Sequence, residues 1–151
     1  MVAAAAESKP RTERIDRIVR DLVPSASQLT RLVLGQARGE ISRSEGGILR
    51  TLSDGPRRVT ELAELEGLAQ PTTTVLIKEL ERRGCVERSR DPEDGRAVLV
   101  SLTPLGGSAL ERYRAQYRAL LRERIAAMPE EQIEALENAV GALESLVVAV
   151  R

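Results

Sequence analysis

Histidine is absent from the sequence and cysteine occurs once, at Cys85. Zinc sites draw on three or four Cys and His donors, so structural and catalytic zinc are excluded. Ser-His-Asp and Cys-His mechanisms are excluded too, because the base is missing. Metal sensing through carboxylates alone finds no supporting spacing. Phosphate-cradling patterns of the G-x-G-x-x-G or G-x-x-x-x-G-K type do not occur. The reading is therefore not an enzyme, with no catalytic residue, metal or cofactor. Phe and Trp are absent, and Tyr113 and Tyr117 are the whole aromatic content. The core must be built from Leu, Val, Ile and Ala, which suits helices.

Surplus charge is lacking as well. The 23 basic residues balance 23 acidic ones, and the isoelectric point lies near 6.4. Any nucleic-acid surface must come from the placement of charge rather than its excess. No apolar run approaches the ~20 residues that span a bilayer. The run Ala3–Ala6 lacks the basic start and long apolar stretch of a signal peptide. A cytoplasmic protein with no membrane partner is expected.

What is present is a chain of 151 residues, 42% hydrophobic and 30% charged. That is enough for one domain burying about 70% of its unfolded surface. The informative stretch runs from Leu68 to Gly106. Leu76, Ile77 and Leu80 mark one helical face, opened by Gln70-Pro71 and closed by Gly84. Val86-Glu87-Arg88 and Val98–Leu102 are strand-like, joined by the turn Asp91-Pro92-Glu93-Asp94-Gly95. Thr103-Pro104 starts another helix. A helix followed by a hairpin with a charged, arginine-bearing tip is the layout of a winged helix-turn-helix.

LAQPTTTVLIKELERRGCVER followed by DPEDGRAVLVSLTPLG resembles the recognition helix and wing of the MarR family (multiple-antibiotic-resistance regulators). Its most specific part is Asp94-Gly95-Arg96 with the apolar strand and Leu102–Gly106 behind it. The resemblance covers about residues 41–110 by motif and the terminal helices by pattern. It implies a mainly α fold with a small β-hairpin wing, and a homodimeric bacterial regulator that binds pseudo-palindromic double-stranded DNA, more often as a repressor. It also implies that a small aromatic or anionic ligand, or an oxidant, releases the DNA in many relatives. Within the wing it implies that Asp94 holds the loop while Arg96 enters the minor groove.

If Thr73, Leu76, Ile77 and Leu80 are buried, then Pro71, Thr74, Val75 and Lys78 face outward, with Gln70 and Thr72 at the exposed start. Gln pairs with adenine, Thr hydroxyls meet several acceptors, and a helix N-terminus offers N–H groups to phosphate. Arg88, Arg90 and Arg96 add the wing's cations. Two positions depart from the family pattern: Ala69 replaces a capping Ser, and Val75 replaces a polar residue. Valine meets a thymine methyl but forms no hydrogen bond with guanine.

The rest of the chain is read around this lobe. Residues 1–12 are expected to be a disordered tail and 13–151 a single domain. Within it, 41–103 form the DNA-binding lobe, and 13–40 and 104–151 are dimerisation helices. Ile15, Val19, Leu22, Ala26, Leu29 and Val33 alternate in steps of four and three, as do Ile133, Leu136, Val140, Leu143, Val147 and Val150. Pro24 interrupts the first stripe and is expected to kink it. Ser42–Glu45 reads as a capping box. Thr60 is expected to cap the helix carrying Leu62, Ala63 and Leu65 inward. Gly46-Gly47 within a helix marks either a close helix or a cavity. Together with Tyr113 and Tyr117 these glycines are candidate ligand-pocket residues. Two other readings remain open: a winged helix used only for protein–protein contact, and a redox sensor acting through Cys85. A thiol at Cys85 is otherwise a small buried hydrophobe.

Overall fold

The computed structural model describes residues 3–36, 41–92, 94 and 97–150, with side chains from Pro10 onward. In chain order the elements are α1 (Ala3–Gln36), α2 (Arg43–Leu52), β1 (Arg57–Arg58), α3 (Val59–Glu66), α4 (Gln70–Arg82), β2 (Val86–Arg90), β3 (Val98–Leu102), α5 (Pro104–Ala126) and α6 (Glu130–Val150). The strands form one antiparallel sheet in the order β1-β3-β2. Its hairpin runs in register from Val86 opposite Leu102 to Arg90 opposite Val98. The expected hairpin is thus present, and β1 adds a third strand that the periodicity did not reveal. Two residues are too few to display an alternation.

The core lies where α2, α3, α4, α5 and the sheet converge. Ile48, Leu49, Leu62, Ile77, Leu80 and Val100 are fully buried there. Apart from Tyr113, aliphatic side chains fill the interior. Tyr113 on α5 is the one aromatic ring inside the core, and Tyr117 packs against its edge.

Three local expectations need correction. α1 begins at Ala3, so the helix takes in much of the segment read as a disordered tail. Alanine is the strongest helix former, and four of them start this run. Pro10 and Pro24 both lie inside α1, the second at the position expected to kink it. The N-cap of α3 is Arg58 rather than Thr60, and Glu61 reaches back to the Arg58 N–H at 2.7 Å. Leu65 faces outward at 61% exposure, because the buried face of this short helix is carried by Leu62 and Ala63.

The two glycines at the start of α5 differ in kind. A Cβ on Gly106 would run into the Cys85 carbonyl, whereas one on Gly107 meets nothing within 4 Å. The close approach at Gly106 is set by Thr103. Its N–H donates to Cys85 O at 3.1 Å, and its hydroxyl donates to Gly84 O at 2.6 Å and accepts from Gly106 N at 3.1 Å. Gly106→Ala is therefore expected to destabilise the fold by about 1–3 kcal/mol through overpacking. Gly107→Ala is expected to stabilise it by about 0.5–1 kcal/mol, as alanine replaces glycine inside a helix. Urea denaturation of the two variants checks the opposite signs.

Candidate nucleic-acid interface

α4 holds its place through one side of the helix. Thr73, Ile77 and Leu80 are buried and Leu76 is half-buried, while Gln70, Pro71, Thr72, Val75 and Lys78 are exposed. The exposed set matches the face expected to meet DNA, except that Thr74 is half-buried. Thr73 and Thr74 turn their hydroxyls back onto Ala69 O at 3.2 Å and Gln70 O at 2.9 Å. This accounts for two of three β-branched threonines in a row: their side chains satisfy the backbone of the first turn. No side chain caps that turn, since Ala69 stands at the N-cap. Pro71 has no N–H and the Thr73 N–H donates to Ala69 O at 3.0 Å, so the leading donors of that turn are the Gln70 and Thr72 N–H groups.

The far end of α4 is pinned by a buried charge. Glu45 forms the capping box of α2, accepting from Ser42 N at 2.7 Å while its own N–H donates to Ser42 Oγ at 3.3 Å. The same carboxylate accepts a hydrogen bond from the Arg83 guanidinium at the C-cap of α4. Glu45 is 7% exposed. One side chain thereby ties the start of α2 to the end of α4. Sequence reading recognised the capping box and missed the ion pair, because 38 residues separate the partners.

The cations around α4 divide into paired and unpaired. Arg82 lies on Glu79 at 2.7 and 2.9 Å, and that contact holds the Glu79 carboxyl below its ordinary pKa. Arg88, predicted to touch DNA, rests on Glu81 at 3.1 Å and links the wing strand to α4. Lys78 and Arg90 form no ion pair with another described residue and are exposed. Glu93, Gly95 and Arg96 lie outside the described residues.

At the root of the wing the buried acid is Asp91, which sequence reading assigned only to the turn. Its carboxylate takes two hydrogen bonds from Arg58, from Nε at 3.0 Å and Nη2 at 2.5 Å. This contact raises the already high Arg58 pKa. Asp94, expected to hold the loop, accepts from Ala97 N through its backbone at 2.8 Å, and its carboxylate lies 3.9 Å from Arg58.

The four candidate pocket residues come together. Gly46, Gly47, Tyr113 and Tyr117 line a cavity of about 120 Å³ between α1, α2 and α5, with Arg43, Arg50 and Arg114 at its edge. The two explanations left open for the glycines both hold. A Cβ on Gly46 would strike the Tyr113 ring, one on Gly47 would strike the Glu66 carboxylate, and a cavity opens beside them. The Tyr113 hydroxyl is buried without a hydrogen-bond partner among the described residues. Burial holds this phenol above its ordinary pKa, because phenolate loses its hydration there. The two tyrosine rings meet edge-to-face at 5.9 Å. Cys85 is buried, with Arg83 O at 4.0 Å from its sulfur. Among the described residues no Cys/Asp/Glu cluster suits a metal, and no helix is long and apolar enough to cross a membrane.

Glu45→Gln is expected to lower stability by about 2–4 kcal/mol, since it removes the buried carboxylate from the half-buried Arg83 and leaves the more exposed Glu79, 3.4 Å away, as its ion-pair partner. Ser42→Ala removes only the cap and is expected to cost about 1 kcal/mol. Equal losses in urea denaturation would contradict the assignment of the larger share to the ion pair.

Comparison with known proteins agrees with this geometry. The sequence profile of the MarR family matches residues 41–98. An HTH-type transcriptional regulator of Mycobacterium tuberculosis is 30% identical over 133 residues, covering 87% of this chain and 93% of the relative. Among solved structures, the transcriptional regulator BldR of Sulfolobus solfataricus superposes with a TM-score of 0.65 at 26% identity, over 87% of this chain and 96% of that one. BpsR of Bordetella bronchiseptica, whose DNA binding is regulated by 6-hydroxynicotinic acid, shares the fold with a TM-score of 0.60 at 22% identity, over 83% and 92%. The chain belongs to the MarR family of winged helix-turn-helix, DNA-binding transcriptional regulators.

Proposed function

We propose that this regulator is a homodimeric repressor that reads a pseudo-palindromic operator and lets go when a small aromatic or anionic molecule binds. The observation that carries the reading is the outer face of α4, where Gln70, Pro71, Thr72, Val75 and Lys78 stand exposed beside uncapped backbone donors. Such a face offers hydrogen bonds to base edges, a methyl contact through Val75, and N–H groups to phosphate. Thr74 supplies an acceptor at its half-buried margin. Arg90 and Arg96 are the wing contacts, and Arg88 acts from its place on Glu81.

Dimerisation is supported by what the single chain leaves uncovered. α6 buries no side chain, and Leu136, Val140, Leu143 and Val147 are all exposed by 39% or more. On α1, Ile15, Val19 and Leu29 are exposed to a similar degree. Apolar stripes of this length are covered by a second copy in our reading, with residues 13–40 and 104–151 interlocking. α5 spans about 35 Å, long enough to join the lobe to that interface. A two-fold then sets the recognition helices about 34–36 Å apart, one turn of DNA.

The ligand is assigned to the cavity at Tyr113. An unpaired buried hydroxyl invites an acceptor, and Arg43 favours an anion, Arg50 and Arg114 being already paired with Glu66 and Glu111. The ligand-regulated BpsR shares the fold, which supports the same kind of control. In our reading the protein works in the cytoplasm, where the DNA is.

Fluorescence anisotropy on DNA from upstream of its own gene, against a scrambled duplex at several salt concentrations, tests the reading. Tight binding of a dimer to the first duplex, falling steeply with salt, is expected. Equal, weak binding to both duplexes with little salt dependence points instead to a protein-interaction module. Arg96→Ala is expected to weaken specific binding by about 1–3 kcal/mol with the thermal midpoint unchanged. Unchanged affinity would remove Arg96 from the interface.

A further inference from the structure

Arg58 stands where three parts of the lobe meet. Its backbone N–H is held by Glu61 Oε2 at 2.7 Å, which sets the start of α3. Its residue pairs with Leu99, which joins β1 to β3. Its guanidinium places two donors on one oxygen of Asp91, the residue directly after β2. Asp91 is only 8% exposed at its side chain, and its N–H donates to Ala97 O at 3.0 Å across the base of the wing loop. Ala97 in turn donates to Asp94 O. The two ends of the wing loop are thus joined at Asp91 and Ala97, and Asp91 is tied to the start of α3.

We propose that Arg58 is a positioning residue for DNA binding. It fixes the wing to the start of α3, so that wing and recognition helix meet the duplex as one body, without itself touching DNA. The proposal rests on the reading of the wing as a DNA contact. Two features favour a clamp over a phosphate ligand. The guanidinium spends Nε and Nη2 on a buried carboxylate, and a third charge, on Asp94, lies 3.9 Å away. An acid at the root of an element that approaches phosphates opposes binding by simple electrostatics. Holding the loop in one conformation offsets that, since a pre-ordered loop loses less entropy on binding.

The clamp makes a prediction in sign that electrostatics alone does not. Arg58→Gln removes a positive charge and Asp91→Asn removes a negative one. If the pair positions the wing, both variants bind the labelled upstream duplex about tenfold more weakly than wild type, the cost of re-ordering one or two loop residues. Both also show a shallower dependence of affinity on salt, as wing contacts are lost. Tighter binding by Asp91→Asn alongside weaker binding by Arg58→Gln would overturn the proposal in favour of a direct charge effect. Wild-type affinity in both would overturn it too. Should Asp91→Asn fail to fold, Arg58→Lys decides: it keeps the charge and loses the two-donor contact. A clear loss of affinity then supports the clamp, and wild-type affinity contradicts it. Amide exchange at Ala97 in the free protein reads the clamp separately, and faster exchange in Arg58→Gln is expected. That measurement stands even if the wild type fails to bind the duplex, a failure that would fall on the DNA reading alone.

Discussion

The lobe depends on one buried carboxylate. Glu45 caps α2 and pairs with Arg83 at the end of α4, so the recognition helix is fixed at its C-terminus while its N-terminus stays bare. A helix anchored at one end and on one face presents the opposite face with little freedom. Burying a charge is costly unless every oxygen is satisfied. Here one oxygen meets the Ser42 N–H and the other the arginine. The Arg83 side chain also leans on Glu79, so the ion pair is continued along α4.

α2 borders the cavity through Gly46 and Gly47 and meets the end of α4 through Glu45. On one side Gly46 lies against the Tyr113 ring of α5, and on the other Gly47 lies against Glu66 at the end of α3. Glu66 is held in turn by the Thr51 hydroxyl at 2.5 Å and Arg50 at 3.4 Å. A larger residue at Gly46 presses on the Tyr113 ring of α5, whereas one at Gly47 displaces the Glu66 carboxylate from its Thr51 and Arg50 contacts. Close packing leaves few ways to move one neighbour without the others.

How much of this was legible depended on the range of each interaction. The recognition helix, the hairpin, the Ser42 cap and the Thr103 cap follow from residues within a few positions of one another. Side-chain period, proline and glycine punctuate them, and the structure keeps them. Cys85 is buried as expected of a small hydrophobe. Arg58–Asp91 and Glu45–Arg83 were not legible, because each joins residues more than thirty positions apart and each partner also has a plausible local role. β1 was too short to carry a pattern, and Leu65 looked buried because helical spacing alone does not say how wide the buried face is. The helical start at Ala3 was missed because an alanine run with nothing apolar to pack reads as a tail. The apolar stripes of α1 and α6 were clear in sequence, and most of their residues are exposed within one chain.

In our proposal α4 and the wing are the surface that meets DNA. Hydrogen exchange of the protein, free and with the upstream duplex, tests it most directly. The account predicts slowed exchange in the first turn of α4, from Gln70 to Thr74, and in the wing from Arg88 to Ala97, with α6 unchanged. Protection confined to α1 and α6, with none at Gln70–Thr74, would contradict it.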